Sequence, residues 1–205
     1  MANTITHTID HAIESIPGVR SGAGAYGALI AEHKRNRGSS DARQKLIEGL
    51  VELAAARYRL DTSGEAELVE FDDRGLHFLF DLTLERTILV HSLSRKVTPN
   101  SRDNPYHKGS PRHEGFEKGH AMAHAQGGFE GGANYFPQRA KMNRAIAPMG
   151  KLWRAIEMHL ASNAGLLAFV RLIYAKGDTG ITPREVEYGL LNGPDQFRAV
   201  LFSNR

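Results

Sequence analysis

Residues 117–143, EKGHAMAHAQGGFEGGANYFPQRAKMN, decide what the sequence of this 205-residue chain predicts. They contain a histidine behind a glycine (His120), an asparagine shortly before a Pro-Gln pair (Asn134) and a second asparagine (Asn143). A histidine has an unperturbed pKa of about 6.5, so at neutral pH it is mostly a free base. The carbonyl oxygen of an asparagine is a neutral ligand that suits a hard divalent cation. The stretch therefore offers a general base and a metal ligand in a fixed order.

Positive charge is concentrated around this stretch. Residues 93–154 carry 11 basic and 4 acidic side chains, whereas residues 1–92 carry 10 and 14, and residues 155–205 carry 5 of each. Such a basic stripe is typical of a surface that binds a phosphate backbone without reading its sequence. The alternative is an ordinary solvated surface, because Lys and Arg favour exposed positions in any protein. The stripe consists of Arg95, Lys96, Arg102, Lys108, Arg112, Lys118, Arg139, Lys141, Arg144, Lys151 and Arg154.

The sequence contains no cysteine, which excludes disulfides and thiolate metal sites. A bound metal would therefore be a hard divalent ion such as Mg²⁺ or Mn²⁺. The length suits one buried core with an accessory segment. No stretch approaches the roughly 18 apolar residues of a membrane span, and the N-terminus lacks the basic start and apolar run of a Sec signal. We therefore expect a soluble protein that does not bind membranes and is cytoplasmic or exported by a non-Sec route.

The period of the apolar residues divides the chain at about residue 62. Helical spacing predicts helices over residues 10–16, 23–35 and 41–61. From residue 63 the period changes to two, which predicts strands over residues 67–71, 76–82 and 87–93, with a hairpin turn at 72–75. The prediction is thus an N-terminal helical segment over residues 1–62 and an α+β domain over residues 63–205.

The second half of the chain alternates between structural signals. Residues 94–114 are rich in Arg, Lys, Ser, Asn, Pro and Gly and are predicted to form an exposed loop. A helix is predicted over residues 145–163, interrupted near its start by Pro148 and Gly150. Three closing strands are predicted over residues 167–175, 185–191 and 197–202.

These motifs together resemble the DNA/RNA non-specific endonuclease family, which is part of the ββα-metal (His-Me finger) superfamily. The family carries an Asp-Arg-Gly-His signature, an Asn three residues before a Pro-Gln pair, an Asn five residues after that Gln, and a Trp four residues before a Glu. The corresponding residues here are Glu117–His120, Asn134 with Pro137-Gln138, Asn143, and Trp153 with Glu157. The pair Gly127-Gly128 resembles the toxin-like branch of the family. The resemblance covers residues 63–205 and implies a ββα-metal nuclease core with an antiparallel sheet, preceded by the helical segment.

Two positions depart from the family pattern. Lys118 replaces the signature Arg, and a lysine gives a point charge instead of a forked contact to phosphate. Asn143 and Glu157 are further apart than the family places them, as an insertion around residues 147–150 would explain. The second departure affects the expected role of Glu157 more than that of Asn143.

The resemblance also implies roles for individual residues. His120 is the general base that deprotonates water, Asn143 binds one Mg²⁺ or Mn²⁺ ion, and Glu157 orients water molecules bound to that ion. Asn134 either supports the fold around the histidine or contacts substrate. The expected substrate is DNA and/or RNA, and a role as a bacterial toxin or effector with an immunity or inhibitor protein as partner follows by analogy. The residues expected to bind substrate phosphates are Lys118, Arg112, Arg139 and Arg144.

Each of these interpretations has an alternative. His120 could be a core histidine, and Asn143 could cap the N-terminus of a helix. His120 and His124 have the spacing of a zinc protease motif, but Ala121 stands where such a protease has its catalytic glutamate. Other functional classes for the chain are a non-catalytic nucleic-acid-binding module and a protein-interaction domain that uses the N-terminal helices.

Overall fold

The computed structural model describes residues 3–62, 66–97, 114–193 and 196–205. No helix in these ranges has the length and apolar character needed to cross a membrane. The elements in chain order are α1 (Asn3–Ser15), β1 (Val19–Ser21), α2 (Gly27–Asn36), α3 (Ala42–Asp61), β2 (Leu68–Asp73), β3 (Leu76–Asp81), β4 (Arg86–Leu93), β5 (Phe116–His120), β6 (Tyr135–Arg139), α4 (Ala140–Asn143), α5 (Pro148–Ser162), β7 (Leu167–Ile173), β8 (Glu185–Leu191) and β9 (Phe197–Ser203).

Seven strands form one antiparallel sheet in the order β1-β9-β8-β7-β4-β3-β2. Strands β5 and β6 form a separate two-stranded hairpin. Helices and a mainly antiparallel sheet make this an α+β protein with helices at its N-terminus, so the predicted fold class is confirmed. Residues 98–113, which include most of the predicted loop 94–114, lie outside the described residues.

Both faces of the sheet are covered. Neighbouring residues of a strand point to opposite faces, and on β8 Glu187 accepts a hydrogen bond from Tyr26, whereas the ring of Tyr188 lies 4.7 Å from that of Trp153 on α5. Tyr26 belongs to a short 3₁₀ turn before α2, and Arg57 of α3 lies over its ring at 5.9 Å, so α3 packs on the same side of the sheet. The sheet is therefore a central layer between the α2–α3 layer and the α5 layer.

The segment between β5 and β6 lies on the α5 side. Phe78, Val90, Val170 and Tyr188 are successive cross-strand neighbours and share the face that α5 covers. The ring of Phe129, from the β5–β6 segment, packs edge-on against Phe78 with 6.2 Å between centroids. The segment between β5 and β6 therefore packs through Phe129 on the buried apolar face of the sheet.

The N-terminal residues share the core of the rest of the chain. One cluster of buried apolar side chains extends from Ile9 and Leu50 in the N-terminal helices to Phe202 in the last strand. The predicted boundary at residue 62 therefore does not divide the core, and the N-terminal part is not purely helical because it contributes β1. That strand has only three residues, of which Val19 is buried and the other two are exposed, so it is too short to show a period of two.

A buried charge ties the N-terminal segment to the sheet. The carboxylate of Glu187 is fully buried and accepts hydrogen bonds from the Tyr26 hydroxyl and, at 2.7 Å, from Arg171 Nε. A Cβ atom on Gly22 would overlap Glu187 Oε1, so only glycine allows the backbone this close. Burial, with the charge of Glu187, raises the pKa of Tyr26. Removing one partner of such a buried pair costs about 3–5 kcal/mol, so the network fixes the position of the segment before α2.

A buried histidine makes the stability of the fold sensitive to acid. The His91 side chain on β4 stacks on His77 of β3 with 4.9 Å between ring centroids, and its Nδ1 is buried without a hydrogen-bond partner. Burial lowers the pKa of His91 to about 4, helped by the charge of His77 and opposed by Asp72. The unfolded chain, whose histidines have a pKa near 6.5, therefore binds a proton at a higher pH than the folded protein does.

We expect the free energy of unfolding to fall by roughly 2–3 kcal/mol through His91 alone when the pH is lowered from 7 to 4.5. His91→Gln should remove that part of the pH dependence, which urea unfolding at the two pH values measures. His7→Gln, on an exposed position of α1, is the control. Equal acid sensitivity in wild type and His91→Gln would contradict the assignment.

Candidate active site

The β5–β6 hairpin and α4 follow one another as a compact ββα unit. In the hairpin, His120 is paired with Tyr135 and Lys118 with Pro137. An isolated two-stranded hairpin is at best marginally stable. Here the buried ring of Phe136 packs against Trp153 of α5, with 6.3 Å between ring centroids. Packing against α5 therefore holds the hairpin that carries His120.

Strand β5 presents its side chains on two faces. Lys118 and His120 share one face because they are two residues apart, and Glu117 lies on the other with Gly119. A Cβ atom on Gly119 would overlap the side chain of Gln138, which is buried on the paired strand. The glycine before His120 is thus required by the close approach of the two strands.

His120 lies in a cluster with an acidic and an aromatic side chain. Its Nε2 is 3.1 Å from Oε2 of Glu130, and the hydroxyl of Tyr135 donates a hydrogen bond to the same oxygen. The rings of His120 and Tyr135 meet edge-on at 4.7 Å between centroids, and Lys118 Nζ lies 3.9 Å from the centre of the Tyr135 ring. The imidazole is therefore held by its neighbours, with 16% of the side chain exposed.

Asn134 supports the segment that follows His120. It is fully buried; its Oδ1 accepts a hydrogen bond of 2.8 Å from the Met122 N–H, and its Nδ2 donates bonds of 2.9 Å to the carbonyl oxygens of Met122 and Phe129. Of the two roles that the sequence left open for Asn134, these contacts correspond to support of the fold.

Asn143 is positioned by Glu117. Its Nδ2 donates a hydrogen bond of 3.1 Å to Glu117 Oε2. The carbonyl oxygen of the same amide takes no part in that bond. Arg144 donates to Glu117 Oε1 through Nε, at 2.7 Å, and through Nη2. Asn143 is the last residue of α4, so it does not cap a helix N-terminus.

The chain breaks between α4 and α5. Pro148 is in the first turn of α5, where its fixed φ is favourable, so it starts the helix that the sequence predicted it to interrupt. A Cβ atom on Gly150 would overlap the carbonyl oxygen of Met142, so glycine lets the first turn of α5 pack directly on α4. The connection between the two packed helices is residues 144–147, whereas Pro148 to Gly150, where the insertion was expected, belong to α5.

Glu157 is held within α5. Its Oε1 accepts a hydrogen bond of 2.7 Å from Trp153 Nε1, and Arg154 Nη1 is 3.6 Å from its Oε2. Burial raises the pKa of Glu157, against the lowering effect of the Trp153 bond and of the Arg154 charge. Within the described ranges, these bonds link Glu157 to its own helix and do not reach the Glu117–Asn143 pair.

The other predicted phosphate contacts have different surroundings. Lys118 shares the face of His120, and Arg144 is bound to Glu117 but has 62% of its side chain exposed. The Arg139 guanidinium lies 4.7 Å from the centre of the Phe116 ring. Arg112 falls within residues 98–113, outside the described residues.

Sequence reasoning missed Glu130 and Tyr135. Glu130 lies in the run Gly127-Gly128-Phe129-Glu130-Gly131-Gly132. Gly127 has a φ of +106°, and a Cβ atom on Gly128 would overlap the Met122 carbonyl oxygen. Gly127 and Gly128 therefore allow this run to fold back onto the segment that follows His120. An acidic residue between two glycine pairs was the signal in the sequence that could have identified it.

The residues near Asn143 suit a hydrated hard cation. Among the described residues, no three His, Asp or Glu side chains converge in a way that could hold a metal ion by themselves. What the chain offers is the Asn143 carbonyl oxygen beside the Glu117 carboxylate. Magnesium keeps several of its waters and is usually bound through few protein oxygens, so this donor set fits such an ion.

No family model matches the sequence, and no protein of curated function is significantly similar to it. Solved structures similar to the chain include NucA from Streptococcus agalactiae with no metal bound (13% identity, 73% of this chain and 87% of that chain, TM-score 0.47). They also include Sda1 nuclease with bound zinc ion (12%, 68% and 84%, TM-score 0.46) and an extracellular endonuclease (15%, 70% and 80%, TM-score 0.40). Two of the three are named as nucleases, the class that the motif resemblance implied. At these low TM-scores the function has to be argued from the residues of the site.

We expect Asn134→Ala to lower the free energy of unfolding by roughly 3 kcal/mol, because it leaves one N–H and two carbonyl groups buried without their partner. Urea unfolding measures the loss. Asn163→Ala, an exposed asparagine at the end of α5, should cost less than about 1 kcal/mol. Similar losses for the two variants would show that the Asn134 bonds do not support the segment.

Proposed function

We propose that the chain is a divalent-metal-dependent endonuclease that hydrolyses phosphodiester bonds in DNA and/or RNA. In this proposal His120 is the general base and Asn143 is the protein ligand of the metal. The observation that carries it is the ββα unit, in which one short strand, β5, bears both His120 and the residue that orients Asn143, Glu117. A base and a cation acting on one phosphodiester bond require such a fixed relation.

The spacing along β5 supports the proposal. Glu117 and His120 are three residues apart, which corresponds to roughly 10 Å along a strand. In the proposal the hydrated cation would lie at the Glu117 end of that span, beside Asn143, and the base at the other end. Lys118 lies between the two residues and on the face of His120, so in this proposal its ammonium binds the phosphate as a point charge.

The roles of the side chains follow from what each binds. The Asn143 carbonyl oxygen would hold the ion, and Glu117 fixes the orientation of that amide. When bound, Mg²⁺ or Mn²⁺ supplies stabilisation of the negative charge that develops on the phosphate and on the leaving oxygen. His120 takes the proton of the attacking water, which such a base accelerates by roughly 100- to 10,000-fold. Asn134 keeps the segment behind His120 in place.

The surrounding charge favours a polyanionic substrate. Residues 93–154 carry 11 basic and 4 acidic side chains, and among them Lys118 and the exposed Arg144 lie on or beside β5.

A role as a toxin or effector with an immunity or inhibitor partner is also part of the proposal. It rests on the Gly127-Gly128 resemblance and stays a prediction.

Cleavage should require both the metal and His120. Purified protein should degrade plasmid DNA, total RNA or both with Mg²⁺ or Mn²⁺, and activity should disappear with EDTA and return with excess metal. His120→Ala should reduce cleavage at least about 100-fold, because it removes the base, with an unchanged circular dichroism spectrum. His11→Ala, on the exposed face of α1, is the control. Full activity in EDTA, or an active His120→Ala protein, would refute the proposal.

The two candidate residues of the metal site should differ in effect. Asn143→Ala should abolish activity or raise the metal concentration needed for it, whereas Asn143→Asp keeps an oxygen ligand and should retain metal binding with a lower rate. Glu157→Gln should be milder than Asn143→Ala, because Glu157 is bound within α5. Cleavage rates measured over a series of Mg²⁺ concentrations test the order. The reverse ranking would make Glu157 the principal ligand.

A further inference from the structure

We propose that Glu130 is the positioning residue for the general base, and that it fixes His120 in the form protonated on Nε2 so that Nδ1 takes the proton of water. This inference rests on the proposed nuclease function. It goes beyond that function because it assigns which ring nitrogen reacts and which residue selects it. The motif residues of the resemblance do not include Glu130.

The geometry of the pair supports this assignment. Oε2 of Glu130 lies 3.1 Å from His120 Nε2, and only 5% of Glu130 is exposed. An ionised carboxylate only accepts hydrogen bonds, so the nitrogen that faces it has to be a donor. In a neutral imidazole the other nitrogen is then the acceptor. Nδ1 is therefore the basic atom of His120.

Glu130 is itself held from two sides. The hydroxyl of Tyr135 donates a hydrogen bond to Glu130 Oε2, and the Tyr135 ring lies against the imidazole. The main chain at Glu130 is held because Asn134 binds the carbonyl oxygen of the preceding residue, Phe129. A carboxylate that is fixed by its own partners orients a histidine better than a mobile one does.

The charge balance of the proton transfer favours the same arrangement. Water gives a proton to Nδ1, its oxygen forms the new bond to phosphorus, and the bond from phosphorus to the leaving oxygen breaks. That oxygen then takes a proton from solvent water. His120 becomes an imidazolium whose positive charge lies beside the Glu130 carboxylate, which stabilises it. Without that carboxylate the protonated ring would be less stable and the base weaker.

Other charged groups near the ring act in the opposite direction or weakly. Among the described residues, Lys118 lies over the Tyr135 ring on the same face of β5, and its positive charge disfavours the imidazolium. Glu117 lies on the other face of the strand. Glu130 is the carboxylate in direct contact with the ring, so it should dominate the proton affinity of His120.

The first test needs neither metal nor substrate. Nitrogen-15 NMR of the histidine side chains in the wild-type protein should show neutral His120 protonated on Nε2 with an unprotonated Nδ1. In Glu130→Gln the pKa of His120 should fall by about one unit, because an opposite charge is removed from contact. Neutral His120 protonated on Nδ1 in the wild type, or an unchanged titration in Glu130→Gln, would overturn the inference whether or not the protein cleaves nucleic acid.

The second test uses the metal-loaded enzyme. Glu130→Gln should lower kcat/KM about 10- to 100-fold and move the acidic limb of its pH profile by about one unit to lower pH. Glu130→Asp should restore the position of the limb and part of the rate, and Glu52→Gln, an exposed position on α3, should change neither. A uniform loss of rate with the limb unmoved would show that Glu130 only supports the fold. If the wild type fails to cleave, the proposed function is wrong while the NMR result still decides the role of Glu130.

Discussion

The hydrogen bonds of one buried amide, that of Asn134, hold the candidate site together. The β5–β6 hairpin is not part of the seven-stranded sheet, so strand pairing cannot position it. Asn134 connects the backbone at Met122, directly after the turn from β5, with the backbone at Phe129. Thr87 of β4 in turn donates a 2.7 Å hydrogen bond to the carbonyl oxygen of Ala133, next to Asn134. These polar contacts link the hairpin to the sheet and add to the packing of Phe136 on Trp153 of α5.

The site then divides into two sets that β5 keeps in a fixed relation. His120 belongs to one set with Glu130 and Tyr135, and Asn143 to the other with Glu117 and Arg144. Glu117 and His120 are three residues apart on β5, so the strand fixes the spacing between the two sets. Hydrogen bonds fix the side chains of each set in the absence of substrate. Catalysis would therefore require little movement of these side chains.

The sequence predicted the helices and strands whose apolar residues recur at a regular spacing. Residues 42–61, with apolar positions at helical spacing, form α3. Strand β4 lies close to its predicted bounds, although it is buried on both faces and does not alternate. Strand β5 shows no such period, because its polar side chains make specific contacts: Glu117 binds Asn143 of α4, and His120 binds Glu130. Its place in a ββα unit was predicted only from the family resemblance. Glu130 was missed because its partner is ten positions away, and only the glycine pairs on either side mark it in the sequence.

The position of β1 has a consequence for the order in which the chain folds during synthesis. Val19 pairs with Phe202, and Arg198 of β9 holds Asp10 of α1 through two hydrogen bonds. The first helix and strand thus meet their partners only after roughly 180 further residues have been made, which takes about 10–40 s at common translation rates. Until then the apolar side chains of α1 lack their contacts with β9. The seven-stranded sheet and the core that it shares with α1 therefore close only once β9 has left the ribosome.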